Sequence, residues 1–161
     1  ILLDQIGENA IANIEQHGPN NSISTDQSSG NDLNVFQNGS NNYADIRQTG
    51  SGNDSTVRQD GSGNRLTQRQ LGSGNNATAE QIGSGNIIKQ LQDGSGNESY
   101  ASQRGGGNKI TVEQNGNENR AHDLQNGSGN TIERVQNGSG IQGATIEQNG
   151  NGLSVSVVEL F

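Results

Sequence analysis

The sequence predicts an all-β fold, a two-sided parallel β-solenoid of about seven coils of 22 residues, each with two strands and two tight turns. Three observations carry this. Glutamine recurs every 11 residues, asparagine stands six residues ahead of most of these glutamines, and the segments between units read as glycine-rich turns.

The glutamine register begins with Gln5, Gln16 and Gln27, which are 11 apart, and Gln37 follows after 10. From there the step is an unbroken 11 through Gln48, Gln59, Gln70, Gln81, Gln92, Gln103, Gln114 and Gln125 to Gln136. A one-residue insertion around Ile141 lengthens the next step to 12, to Gln148, and Glu159 then takes the place of Gln. The asparagines six residues earlier are Asn21, Asn31, Asn42, Asn53, Asn64, Asn75, Asn86, Asn97, Asn108, Asn119 and Asn130, with Ala10, Gln142 and Leu153 as the exceptions.

The spacer after nearly every Gln carries Gly at its second residue, as at Gly7, Gly50, Gly61, Gly72, Gly83 and Gly94. Its fourth residue is usually Gly (Gly52, Gly63, Gly74, Gly85, Gly96) or Asn (Asn41). These residue types accept φ > 0 at low steric cost, so each spacer predicts a tight turn. Glu118 in the fourth place predicts a strained or altered turn, and the shortened Ser28-Ser29-Gly30 spacer an irregular corner. Pro19, the only proline, falls in a turn, where a missing N–H does no harm.

Between turns the residues alternate with the period of two expected of strands. The reading is a single domain, 1–161, with strands near 1–5, 10–16, 21–27, 31–37, 42–48, 53–59, 64–70, 75–81, 86–92, 97–103, 108–114, 119–125, 130–136, 142–148 and 153–159. Counting Asn as position 0 and Gln as position 6, positions 2 and 4 share the inner face, for example Leu33/Val35, Ala44/Ile46, Leu66/Gln68, Ile110/Val112 and Ala144/Ile146. From Ser55 onward position 2 alternates small and large (Ser55, Leu66, Ala77, Ile88, Ser99, Ile110), so like residues recur every 22 and a small side chain faces a large one across the coil. At ~4.8 Å per rung such a stack is a rod roughly 35 Å long. Asn then lies over Asn and Gln over Gln, and their amides can bond along the axis in continuous ladders. Asp123 and Arg134 take inner positions on consecutive strands, hence opposite walls of one coil, and are expected to pair.

Composition restricts the function classes. Apolar residues are 25% of the chain, and Leu, Ile, Val and Phe total 31 of 161, a level that signals disorder in a non-repetitive sequence. Strict periodicity overrides that reading, because a repeat needs only a thin, regular core. The net charge of −8 argues against nucleic-acid partners. The absence of cysteine removes disulfides and thiolate metal sites. No apolar run reaches the roughly 18–20 residues of a membrane span. The lack of an initiator Met and of a leader pattern leads to the expectation of a mature or trimmed chain. No catalytic residues, metal ligands or cofactors are assigned, and the chain is not expected to be an enzyme. Of the two histidines, His17 lies in a turn and His122 points outward, and no nucleophile–base pair is visible.

The pattern Gln-x-Gly-x-Gly-Asn, followed by five residues and Gln, resembles the curlin repeat. It stands complete in 48–59, 59–70, 70–81, 81–92, 92–103, 103–114 and 125–136, with degenerate forms elsewhere. The resemblance is to the major, fibre-forming subunit, with more repeats than the familiar members. It implies an extracellular, cell-surface-associated bacterial fibre, a functional amyloid of biofilm that serves in adhesion and cell aggregation. It further implies a left-handed coil, export through an outer-membrane secretion pore, and seeding by a minor nucleating subunit.

No polar capping unit of the kind that keeps repeat proteins monomeric is visible. Leu3 and Gln5 at one end, and Leu153, Val155 and Val157 at the other, are therefore read as edges that recruit further copies of the chain. Outward charges such as Asp32, Asp54, Arg58 and Glu80 are expected to limit sideways clumping.

Other readings fit less well. Calcium-binding nonapeptide rolls need a period of nine and an Asp that only Asp54 supplies at the right spacing, and phosphate-binding glycine loops need a following helix. A monomeric solenoid with an ice-binding or other surface-binding face is the main alternative. It rests on Thr56 and Thr78, 22 residues apart, but Asp54 and Asn76 stand beside them. The Asn-Gly-Ser sequons at Asn38, Asn126 and Asn137 are read as turn chemistry.

Overall fold

The computed structural model describes residues 1–5 and 8–161, the side chain of Gln5 excepted. Gly7, expected in the first turn, and the Gln5 side chain, expected at a stacking edge, lie outside the described residues. Among the described residues fifteen strands follow one another. They are β1 (Leu2–Gln5), β2 (Ile11–His17), β3 (Ser22–Gln27), β4 (Asp32–Ser40) and β5 (Tyr43–Ser51). Next come β6 (Asp54–Ser62), β7 (Arg65–Ser73), β8 (Asn76–Ser84), β9 (Ile87–Ser95) and β10 (Glu98–Gly106). The last are β11 (Lys109–Asn115), β12 (Arg120–Ser128), β13 (Thr131–Asn137), β14 (Ile146–Asn151) and β15 (Ser154–Leu160).

Odd-numbered strands form one parallel sheet of eight strands and even-numbered strands a second of seven. Successive strands therefore alternate between two walls, and the chain is a β-solenoid of about seven turns. Register is kept throughout, with Gln59, Gln81, Gln103, Gln125 and Gln148 stacked in one wall. The step between stacked residues is 22 for most of the chain, 21 where β2 pairs β4 and β3 pairs β5, and 23 at the last pairings. The core is the thin layer between the walls, with Ile23, Leu66, Ile88, Ile110 and Ile132 from the odd sheet and Leu33, Ala77 and Ala121 from the even sheet all buried.

The strands are displaced from the expected 53–59 and 64–70 type of boundary. From β3 to β13 each begins one residue after its Asn, and many run through the Gly-Ser of the spacer, so that Gly72 pairs with Gly94 and Ser73 with Ser95. The backbone N–H of Asn86 donates to Asn64 Oδ1 at 3.1 Å instead of to a backbone carbonyl, so the backbone ladder starts only at the next residue. The expected four-residue turn thus shrinks to a sharp bend at the fourth spacer residue and Asn.

The two spacer glycines answer to different constraints. Gly63 has φ 64° and open space around its Cα, apart from a distant Gly85 amide, so it is there for left-handed backbone. Gly61, with φ 125°, is also held by stacking, since a Cβ on it would run into the carbonyl of Gly83 in the next rung. Asn41 and Glu118 hold the Gly63 role at φ 57° and 56°. The Glu118 corner keeps its course, its N–H bonding Ser95 O at 2.9 Å, so the irregularity is strain at one residue, not a changed turn. In the short Ser28-Ser29-Gly30 corner the Ser28 hydroxyl replaces missing backbone. Its Oγ accepts from Gly50 N–H at 2.9 Å and lies 2.7 Å from Gly50 O.

The insertion near Ile141 corrects part of the sequence reading. Ile141, not Gln142, occupies the Asn position. It is buried, its N–H donates to Asn119 Oδ1 at 3.0 Å and its carbonyl accepts from Arg120 at 2.8 Å. Gln142 bridges Arg120 and Ile146 pairs Asp123, so the extra residue is taken up within 143–145 as a bulge, and β14 begins at Ile146 rather than at 142. Ala144, expected to face inward, is exposed. Gly143 lies instead against Arg134 and Gln136, where any Cβ would collide with both side chains.

Gly63→Ala is expected to cost about 1–2 kcal/mol, the price of left-handed backbone for an L residue. Gly61→Ala should cost more than about 3 kcal/mol, because its obstacle is backbone that stacking fixes. Urea unfolding of the two variants measures the difference, and equal losses would contradict the close-approach argument.

Candidate functional site

The candidate site is the repeated inner surface itself, whose polar members form two kinds of ladder. In the odd wall Gln27, Gln48, Gln70, Gln92, Gln114 and Gln136 are buried, and each donates Nε2–H to the Oε1 of the next. Gln48 to Gln70 spans 3.0 Å and Gln92 to Gln114 2.9 Å. The even wall repeats this from Gln16 through Gln37, Gln59, Gln81, Gln103 and Gln125 to Gln148. The amide's second proton reaches across the corner, as where Gln70 Nε2 donates to Asp54 O at 2.8 Å. That reach needs the extra methylene of Gln.

Asn side chains form the second kind. Asn53, Asn64, Asn75, Asn86 and Asn97 each direct Nδ2–H to the Oδ1 of the Asn one rung earlier, at 3.0–3.2 Å. In Asn108, Asn119 and Asn130 the backbone N–H makes that bond to the preceding Oδ1 and Nδ2 serves a glycine carbonyl. Asn31 and Asn42 carry the same ladders at the early rungs, and Asn21, half-buried, starts one of them. Gln ladders donate toward the C-terminal rungs and Asn side-chain ladders toward the N-terminal ones. The Asn amides bond in both directions, since Asn64 Nδ2 also donates to Gly83 O of the following rung at 3.0 Å.

Within the core, Gln68 donates to Gln90 at 2.9 Å, and two residues of the opposite wall complete this pair. Ser55 hydrogen-bonds Gln68 Oε1, and Gln90 Nε2 donates to Ser99 Oγ at 2.9 Å. The sequence reading took Ser55 and Ser99 only as small residues. Their signal was available, since each lies on a strand adjacent to a core Gln and both are hydroxylic where Ala77 and Ala121 are not. Thr25 Oγ1 is buried without a partner among the described residues.

Asp123 and Arg134 are both fully buried, with Arg134 Nη2 2.7 Å and Nε 3.1 Å from Asp123 Oδ1. Burial pushes the Asp123 carboxyl up, against the pull of the Arg134 hydrogen bonds and charge. Two further guanidinium donors reach Ala144 O at 2.6 Å and, at 3.4 Å, Glu159 Oε2, which also accepts from Gln136 at 2.7 Å. The bulge at 143–145 thus turns a backbone carbonyl toward a cation that inward side chains alone leave short of acceptors.

The residues read as stacking edges lie on the outermost strands. Leu3 (β1) is exposed, Val155 and Val157 (β15) are half-buried, and Leu153, exposed beside β15, donates its N–H to Asn130 Oδ1 at 3.0 Å. On the outer surface of the even sheet the Thr56–Thr78 column passes into Tyr100 and His122, whose rings meet edge-on at 4.8 Å, so no flat threonine array continues along it.

These features define a class, a structural repeat protein whose core is a parallel amide-laddered β-solenoid. Residues 29–61 and 91–116 match the family model of the curlin associated repeat. A search of the curated proteins found no match to the chain.

Gln70→Ala removes a mid-ladder rung and orphans partners on both sides. It is expected to cost about 3–5 kcal/mol, against about 0.5 kcal/mol for Thr67→Ala on the outer face of the same strand. Denaturant midpoints of the two variants give the comparison. Arg134→Leu alone should destabilise by about 3–5 kcal/mol, more than the Asp123→Leu/Arg134→Leu double variant, because the single change strands a buried carboxylate. Equal losses in thermal unfolding would contradict that account.

Proposed function

We propose that the chain is a structural subunit of a curli-like extracellular amyloid fibre, and that its activity is polymerisation along the solenoid axis. One observation carries the reading. Successive rungs are largely complementary to one another, because Gln stacks on Gln and Asn on Asn in parallel register through most of the stack. A stack built this way can be extended by any chain that repeats the rung, with backbone bonds, amide bonds and buried aliphatic area gained at each step. Growth of this kind is heterologous and does not close, so it yields filaments. Leu3, Gln5, Leu153, Val155 and Val157 would line the joint between copies.

The curlin-repeat match supports the same reading and extends it to a place in bacterial biofilm, adhesion and cell aggregation. A minor nucleating subunit and an outer-membrane secretion pore belong to that proposal. Catalysis has no part in it.

Electron microscopy and fibre diffraction of the purified protein test the proposal. Unbranched filaments with a meridional spacing of ~4.7 Å are expected. A protein that stays a monomeric rod, without filaments or that reflection, would sink it.

A further inference from the structure

Unpaired charge on the two broad outer faces is clustered, a cation strip bordered by carboxylates on the odd sheet and an acid pair on the even sheet. On the odd sheet, β7, β9 and β11 present Arg65, Arg69, Lys89 and Lys109 outward, and among the described residues none of these makes an ion pair. Arg65 lies over the Tyr43 ring at 4.9 Å, and Ile87 and Leu91 fill the spaces between the cations. Arg69 is in register with Arg47, which is tied to Asp26 at 3.2 Å, and the anions Asp45, Glu113 and Glu133 border the strip on the same face.

On the even sheet Asp32 of β4 and Asp54 of β6 are exposed, stand directly in register and, among the described residues, make no ion pair. The other acids of that face are engaged differently. Glu80 meets Arg104 at 3.6 Å, Glu98 meets Arg120 at 3.3 Å, Asp60 meets Arg58 at 3.2 Å and Glu15 meets His17 at 2.6 Å, while Glu147 accepts from Asn149 at 2.8 Å. Like charges directly opposite on neighbouring strands are destabilising. Loss of solvent, together with Asp32, pushes the Asp54 carboxyl up. The Asp32–Asp54 pair is therefore a like-charge contact that a cationic partner would relieve, and the unpaired cations of the odd sheet are available to supply one.

We propose that the solenoids associate side by side, the Arg65–Arg69–Lys89–Lys109 strip of one copy docking on the Asp32–Asp54 face of another. The occupant is a second copy of this chain because the same molecule supplies both faces, on opposite walls, so the contact propagates from rod to rod. A soluble polyanion would meet a molecule of net charge −8. The charges that the sequence reading assigned to preventing sideways clumping thereby direct it into one geometry. Axial growth is not required for this contact.

Two charge-reversed variants test it, Arg65→Glu/Arg69→Glu/Lys89→Glu and Asp32→Lys/Asp54→Lys, all of these side chains pointing away from the core. Lateral association is read as bundle width in micrographs of filaments, or as sedimentation of rods where filaments do not form. For the wild-type protein it should fall several-fold as salt rises from ~0.01 M to ~1 M and the Debye length shrinks from ~30 Å to ~3 Å. Each variant alone should lose lateral association at low salt, and an equimolar mixture should regain it.

Association that ignores salt, variants that bundle like the wild type, or a mixture no better than its components would overturn the proposal. So would wild-type binding of inorganic polyphosphate that the triple variant loses, without self-association, which would reassign the strip to a polyanion. Filaments that never bundle count against this inference alone. Rods that pair sideways but never elongate count against the axial reading alone.

Discussion

The fold depends on the amide ladder. A chain with so little aliphatic side chain has too thin a core to order itself by apolar burial, and it buries instead a row of carboxamides in each wall and at each corner. A buried amide is costly unless it is bonded, and side chains stacked at strand spacing bond one another along the axis and use their remaining capacity on backbone groups at the corners. Asn and Gln are not interchangeable here. Asn64 lends its Oδ1 to the backbone N–H of Asn86 at the bend, while Gln70 reaches across the corner to Asp54 O. The short amide serves its own bend and the long one the junction of the walls.

Stacking also explains the corners. Once rungs are in register, whatever lies at a corner in one coil lies against the same corner in the next. Gly61 must therefore be small because Gly83 is above it, a demand that no isolated turn makes. The fourth spacer residue faces outward and is limited only by its dihedral angles, which is why Asn41 and Glu118 are accommodated there. Irregular spacers are absorbed by substitution of one hydrogen-bonding group for another, as with the Ser28 hydroxyl.

The ion pair of Asp123 and Arg134 is the largest departure from the amide theme. Its carboxylate comes from the even wall and its guanidinium from the odd wall, and the cation takes further acceptors from Ala144 and Glu159. Three local irregularities in the sequence, the core charges, the inserted residue and Glu in place of Gln, are thus one structural event. A rung containing this cluster is chemically distinct from its neighbours and cannot slip by a coil without stranding a buried charge. That makes it a marker of register in a chain whose other rungs are nearly interchangeable.

What the sequence by itself determined is the period, and with it the fold class. Gln and Gly at intervals of 11, and small and large residues alternating at 22, admit only strands of constant length folded alternately onto two walls. A one-dimensional pattern suffices for that because each rung contacts only its neighbours. The like-on-like ladders and the Asp123–Arg134 pair also followed from the period, whereas the remaining partners of the polar groups were decided by tertiary structure. The direction of the two ladders, the completion of Gln68 and Gln90 by Ser55 and Ser99, and the placing of Ile141 rather than Gln142 in the Asn position all depend on which atoms face one another across a corner or a core. The inserted residue shows the reason. Sequence spacing locates it only to within a few residues, whereas the collision of any Cβ at Gly143 with Arg134 and Gln136, and the demand of the guanidinium for Ala144 O, leave the chain one place to bulge.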